Sequence, residues 1–405
     1  MGPRVLHLLA QRPSLTGSGV TLDALVRQAD RAGWDQWVVV GTGADDPSPA
    51  VGGLSHDRIH PLVFDPDPLP GMSDVMPYPS SRFSDLSPGQ HAAYRRIWSQ
   101  HLRAVLADCR PQLIHAHHVW IVSAMLKDLA PTTKVVVQCH ATGLRQRELC
   151  PHLWPDIQRG NTRNDRFLVL HRGHAAALTQ ALTVGQDQIR LVGAGYREDL
   201  FHPGTRPPRE PRGVLYVGKL SPAKGLPWLL DATERMDPPP HLHVVGSGAG
   251  AEAEALVRRI TSMPHVTLHG ALSQTDLAHH MRRAAVCVLP SLYEGVPLVL
   301  AEALACGCRL VSTALPGVLD QLVPHMEFAL HLVPPPRLVD VDHPVQADVP
   351  RFVEQLATTI QAALGAGSVE HDPRAATALA PFTWSAVFQR VEQCWLELLA
   401  DSVMV

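Results

Sequence analysis

Two glutamates eight residues apart, Glu294 and Glu302, sit in the run Leu289-Pro290-Ser291-Leu292-Tyr293-Glu294-Gly295-Val296-Pro297-Leu298-Val299-Leu300-Ala301-Glu302-Ala303. The apolar residues 285–289 read as a strand. A short loop with the first carboxylate follows, and then a helix with the second carboxylate in its first turns. Ligands bind at such strand ends in open α/β sheets. Gly295, Val296, Pro297 and Leu298 lead into the helix start, where unpaired backbone N–H groups suit an anion such as a phosphate. A carboxylate just beyond suits vicinal hydroxyls, because it accepts two hydrogen bonds at once. Phosphate plus diol describes a nucleotide or a nucleotide-sugar. Taken alone, the spacing equally fits a surface-loop Glu and a solvated helix Glu. The flanking residues weigh against that: Leu300, Ala301, Ala303, Leu304 and Ala305 make the helix apolar almost all round, and an ionised group on a buried helix needs partners.

A diphosphate calls for cations. The run Val217-Gly218-Lys219-Leu220-Ser221-Pro222-Ala223-Lys224-Gly225 supplies two lysines at another strand end. Gly17-Ser18-Gly19 reads as a loop between the first strand and first helix, where glycines let a backbone approach a phosphate; a tight turn explains it as well. Val245-Gly246-Ser247-Gly248 is a third strand-to-turn glycine pair.

The segment Val286 to Gly317 resembles the donor-site signature of glycosyltransferase family 4, which has the GT-B fold and a Glu-x7-Glu motif. The match includes the glycines after each carboxylate, Gly295 and Gly307, and the Pro316-Gly317 turn. The resemblance covers nearly the whole chain and is strongest over 213–320. It implies an α/β chain of two Rossmann-like domains facing a deep interdomain cleft. It also implies that Gly218, Lys219 and Lys224 contact the donor phosphates, with the lysines stabilising the leaving diphosphate. The family's first basic residue is often Arg, so Lys219 gives a point charge in place of a bidentate fork. By the same resemblance Glu302 takes the ribose hydroxyls, Gly246 and Gly248 lie beside the base, and the Gly17–Gly19 loop faces the donor or acceptor. His140, in Cys139-His140-Ala141-Thr142-Gly143, looks like the family's His-Gly-Thr-Asp segment, whose histidine reaches the donor sugar; Ala141 and Leu144 depart from that pattern. His140, Lys219, Lys224 and Glu294 form the expected catalytic set.

Arg145, Gln146 and Arg147, together with Arg12, are more polar than structure demands. A solvated loop and a site for an acidic acceptor fit them equally; the second reading predicts a small, polar, anionic acceptor, because guanidinium groups pair with carboxylates and phosphates. No metal is expected. The family has a strand end like His115-Ala116-His117-His118 without one, and Asp65-x-Asp67 and Asp340-x-Asp342 read as solvated Pro-rich loops. No cofactor beyond the nucleoside diphosphate sugar co-substrate (UDP or GDP) is implied. Family membership implies retention of anomeric configuration by front-face attack.

The bulk numbers agree. The chain of 405 residues suffices for two domains, and its 45% hydrophobic and 18% charged content fits a globular enzyme. A net charge of −3 leaves no nucleic-acid footprint. No apolar window is long enough for a transmembrane segment. Seven scattered cysteines read as free thiols in a reducing cytoplasm. A homodimer is compatible with this composition.

Alternating strand and helix patterns predict parallel sheets throughout. Strands are expected at Val5 to Ala10, Trp37 to Val40, Leu113 to His117 and Lys134 to Cys139, with irregular loops over 41–90 and a mobile or helical stretch over 144–166. The pattern restarts at Gly213 after the Pro-rich linker around 201–211. The expected division is an acceptor-binding domain at 1–200, a donor-binding domain at 201–384 and a helix at 385–405 crossing back to the first. Two rival functions stay open: a natural-product S- or O-glycosyltransferase acting on a small thiol or antibiotic intermediate, and a non-catalytic nucleotide-sugar-binding protein. A pyridoxal-dependent phosphorylase of the same fold would need a cofactor lysine signature, which is not evident.

Overall fold

The computed structural model describes residues 2–401 except 14–15, 74–75, 205–207, 249, 295, 340–342 and 371. The chain divides into two compact units. The first takes residues 1–194 and 384–405, and the second takes 195–383.

The first unit holds a seven-stranded parallel sheet. Its strands are β1 (Arg4–Leu9), β2 (Asp35–Gly43), β3 (Ile59–Phe64), β4 (Leu113–His117), β5 (Lys134–Gln138), β6 (Arg166–Val169) and β7 (Ile189–Leu191). Their spatial order is β3-β2-β1-β4-β5-β6-β7. The second unit has six parallel strands: β8 (Gly213–Val217), β9 (His241–Val245), β10 (Val266–Gly270), β11 (Val286–Leu289), β12 (Arg309–Thr313) and β13 (Leu330–Val333). Their order is β10-β9-β8-β11-β12-β13. In both sheets the order runs outward from the first strand and then reverses. The reversal lies between β1 and β4 in one unit and between β8 and β11 in the other. Chain leaving the two central strands therefore departs to opposite sides, which opens a crevice at the strand ends.

Local chemistry sets the elements. Helix α1 (Gly17–Arg31) starts at the N-cap Thr16, whose hydroxyl accepts from Gly19 N, and buries Leu22, Leu25, Val26 and Ala29 at helical spacing. Gly17, Ser18 and Gly19 thus form the first turn of α1 and not a loop before it. Helix α2 (Pro88–Cys109) opens with a capping box of Ser87 and Gln90 and a proline in its first turn. Helix α3 (Ala141–Leu149) fills part of the stretch expected to be mobile or helical. The expectation of irregular loops over 41–90 fails in part, because β2 runs on to Gly43 and β3 pairs with it in register from Val38 opposite Ile59 to Gly43 opposite Phe64.

In the second unit, α4 (Leu226–Glu234) and α5 (Leu298–Ala305) follow β8 and β11. Helix α6 (Val349–Gly365) packs Phe352, Val353, Leu356 and Ile360 into one core layer with Val214, Val244, Val288 and Val311. The last helix, α7 (Trp384–Asp401), belongs to the first unit. Its Val387, Phe388, Val391 and Trp395 share a core with Val5, Leu25, Trp34 and Leu113. Trp34 Nε1 donates to Glu392 across 358 residues of chain, at 2.8 Å.

Candidate functional site

In the second unit, the two loops flanking the strand-order reversal are fastened together. Leu292 N donates to Ala223 O at 2.9 Å. Gly225 has φ +74, and a Cβ there would lie 2.0 Å from Pro290 O. Only glycine permits that approach. The result holds Lys224 Nζ 2.7 Å from Glu294 Oε1, with Ser291 Oγ donating to the same oxygen at 2.9 Å. Both charged side chains keep about a fifth to a quarter of their surface exposed, at 26% and 18%. The pair lies at the crevice and not in the core.

Neighbouring strand ends are laced in the same way. Gly218 N donates to Val245 O at 3.0 Å, Leu220 N to Ser247 O at 3.1 Å, and Gly246 N to Gly270 O at 2.8 Å. At Gly246 φ is +141, and an added Cβ would meet Gly218 O at 1.8 Å. Gly248 is packed against Leu220 and Ala253 in similar fashion. The three glycines thus let the backbones of β8, β9 and β10 converge. Lys219 is exposed, and among the described residues no carboxylate pairs with it.

Glu302 lies on α5, the helix that leaves β11. Burial raises its pKa to about 7, from an ordinary value near 4.5. Among the described residues no donor or cation meets its carboxylate. A half-buried carboxyl with no partner among the described residues is costly once ionised, so hydrogen-bond donors from a ligand would stabilise it. Val296, Pro297 and Leu298 connect Glu294 to α5, with Pro297 as its N-cap residue. Gly295 and the Asp340-x-Asp342 pair lie outside the described residues.

The corresponding strand ends of the first unit carry imidazoles instead. His7 on β1 stands opposite His115 on β4. The rings of His115 and His117 stack at 4.9 Å, and those of His117 and His140 at 5.5 Å. His117 Nδ1 and His140 Nε2 are 3.2 Å apart, and His118 packs on His140 at 4.9 Å with the uncommon φ of +74. Burial, reinforced by neighbouring imidazoles, drives His115, His117 and His140 well below the usual histidine range and holds His7 at about 4. The array is therefore neutral at physiological pH. His140 caps α3 as a neutral group with one nitrogen already engaged.

The four arginine and glutamine positions divide. Arg12 is buried, forms two hydrogen bonds with Asp45 at 2.7 and 2.5 Å, and lies over the Tyr78 ring at 4.7 Å. Its two terminal nitrogens are thus paired within the unit, while Nε is buried and has no partner among the described residues. Gln146 is buried and accepts from the Cys150 thiol. Arg145 and Arg147 are exposed on α3, with Arg147 5.6 Å from the Trp154 ring. Ser18 is turned inward to Gln11, and only Gly17 of its triplet is exposed. Asp65 and Asp67 line a cavity of about 210 Å³ beside α2. Neither belongs to a metal-capable group of three among the described residues. The Arg12–Asp45 pair and the membership of His7 in the histidine array escape sequence reasoning. For His7 a signal existed, since His115-x-His117 alternation puts two imidazoles on one sheet face and β1 must neighbour β4.

Residues 211–341 match the family model described as "Glycosyl transferases group 1". These residues form a group 1 glycosyltransferase domain. A D-inositol 3-phosphate glycosyltransferase of Segniliparus rotundus is 27% identical over 289 residues, 62% of each chain. The corresponding Mycobacterium tuberculosis protein is 32% identical over 168 residues, 38% of this chain and 35% of that one. The match thus spans less than two thirds of these relatives' length. Among solved structures, sucrose-phosphate synthase from Thermosynechococcus elongatus superimposes with a TM-score of 0.68 at 20% identity, over 99% of this chain and 100% of that one. The Anabaena HepE protein in complex with UDP-glucose gives 0.67 at 16%, over 97% and 99%. The two parallel-sheet α/β units have the fold of GT-B glycosyltransferases.

Proposed function

We propose that this chain is a metal-independent, retaining glycosyltransferase that takes a sugar from a UDP- or GDP-sugar. The observation that carries this reading is the Lys224–Glu294 pair at the strand-order reversal, with the Glu302 carboxyl, unpartnered among the described residues, on the next helix. Lys224 and Lys219 would neutralise the departing diphosphate, and Glu302 would accept both ribose hydroxyls. In the reaction the bond from the anomeric carbon to the phosphate oxygen breaks while the acceptor oxygen attacks from the same face. The acceptor proton passes to the departing phosphate oxygen. The protein's part is orientation and preorganised charge, which requires neither a covalent intermediate nor a bound cation.

The acceptor reading rests on the first unit. Exposed Arg145 and Arg147 suit a small, polar, anionic molecule, whereas Arg12 would have to share its guanidinium with Asp45. The names of the mycobacterial-type relatives specify an inositol phosphate, which is an acceptor of that class. UDP is favoured as the donor base carrier by the Anabaena complex. Seven buried cysteines fit a reducing cytoplasm. The decisive experiment is calorimetry with UDP-, GDP- and dTDP-sugars followed by product analysis with inositol phosphates. Saturable donor binding with glycosylated product supports the reading; binding without transfer to any acceptor, or hydrolysis, would leave the non-catalytic binding protein in its place.

A further inference from the structure

A second constellation lies apart from the donor loops, against the outer strands of the second sheet. Glu210 in the segment before β8, His241 and His243 on β9, His269 on β10 and His280 on the helix Gln274–Arg283 converge there. Glu210 Oε1 is 2.8 Å from His241 Nδ1, and Oε2 is 2.8 Å from His243 Nε2. An ionised carboxylate only accepts, so His243 carries its proton on Nε2 and presents the Nδ1 lone pair. That lone pair faces His269 Nε2 at 3.0 Å. The His269 and His280 rings approach to 4.2 Å. A β-bulge contributes: the register between β9 and β10 steps from Val244 opposite Leu268 to Val245 opposite Gly270, which leaves His269 as the extra residue. Bulges re-aim side chains, and this one sets an imidazole beside His243.

We propose that His243, His269 and His280 bind a divalent transition-metal ion of the Zn²⁺ class, with Glu210 as the carboxylate behind His243. One nitrogen from each imidazole lies within 4.8 Å of the others. Tetrahedral zinc with bonds of ~2.0–2.1 Å needs ligand nitrogens ~3.4 Å apart, so closure takes about 1 Å of side-chain movement in half-buried rings. The carboxylate–histidine–metal arrangement fixes the ligand tautomer, a recurrent feature of protein zinc sites. Imidazole ligands select Zn²⁺, Cu²⁺ or Ni²⁺ over Mg²⁺ or Ca²⁺. On binding, His269 moves its proton from Nε2 to Nδ1, and no proton need leave. The fourth position stays open to water. His241 completes the surround and is itself satisfied, by Glu210 and by Thr267 Oγ1 at 2.9 Å. The ion would pin helix 274–283 to two strands and to the segment before β8. This site is independent of the sugar-transfer reading.

The test uses the full chain, stripped with EDTA and dialysed, and titrated with Co²⁺ followed by visible absorption and with Zn²⁺ by competition. We expect a saturable tetrahedral Co²⁺ spectrum and a rise in Tm with Zn²⁺. His280→Ala should weaken binding more than tenfold, and Glu210→Gln by 10–100-fold. His279→Ala, one residue away and exposed, should bind as the wild type does, and it serves as the control if His269→Ala fails to fold. Absence of saturable binding by the wild-type chain, wild-type affinity in folded His280→Ala, or equal loss in His279→Ala would each overturn the assignment.

Discussion

The two sheets share a strand order and a point of reversal, yet their strand ends carry opposite chemistry. In the second unit the reversal is lined by a lysine–glutamate pair, an exposed lysine and a half-buried carboxyl. In the first it is lined by His115, His117 and His140, all held neutral by burial. Topology supplies the crevice; side chains at the crevice decide whether it can stabilise a changing charge. The charged end is exposed enough for a ligand to compete for Lys224. The imidazole end is sealed, with Trp395 packed edge-on against His7 and His115 at 5.6 and 5.5 Å. This contrast favours the second unit as the place where a diphosphate is met.

The sharpest way to break that contrast is Lys224→Ala. It should lower turnover by more than tenfold, since loss of one group that stabilises transition-state charge costs about 2 kcal/mol or more. Unchanged turnover in a steady-state assay would make the Lys224–Glu294 pair a surface ion pair.

Glu302→Gln should show two effects of opposite sign. Donor affinity falls several-fold in calorimetry. Stability rises at alkaline pH, because the wild-type carboxyl has a folded pKa of about 7 against about 4.5 unfolded. The folded state therefore takes up a proton between these values. The stability from the neutral form is full below about pH 4.5 and is lost as pH climbs through about 7. At ~1.4 kcal/mol per unit the full swing is about 3.5 kcal/mol. Denaturation midpoints of both proteins at pH 5 and pH 8 check it; a constant difference across that range removes the buried-carboxyl argument.

Smaller effects belong to the first unit. Arg145→Ala and Arg147→Ala should each raise the acceptor KM a few-fold with donor affinity unaltered, because exposed charges contribute modestly. A shift in donor affinity instead would erase the division of labour. The least change is expected from chelation: transfer persists in excess EDTA, while the midpoint for thermal unfolding drops if the histidine site has been stripped. Rescue of lost activity by Mg²⁺ or Mn²⁺ would reject metal-free transfer.

The strands of the second unit were legible because buried parallel strands read as short apolar runs with sharp flanks, Gly218-Lys219 after 213–217 and Arg283 and Pro290 around 285–289. β3 was not, since Pro61 sits inside it and Pro, Asp and Gly crowd both flanks; only an edge strand tolerates that proline. β6 is four residues long and lies next to a polar stretch, so no period could emerge. In the donor region the glycines do sit at strand ends, because strand-end position is a local feature of the sequence. Arg12 is the opposite case. Its partner Asp45 is 33 residues away, and nothing nearby in the sequence marks the guanidinium as paired.

Helix α7 carries a further consequence. The second unit is one uninterrupted stretch, 195–383, inserted within the first. During synthesis it can mature as soon as it clears the ribosome. The first sheet meanwhile waits with Val5, Leu25 and Trp34 bare until residues 384–401 arrive to roof them. A premature stop anywhere after about residue 383 would thus leave the late-made half intact and expose the early-made half to proteases and chaperones, an inversion of the usual order in which damage at a chain's end falls on what was made last.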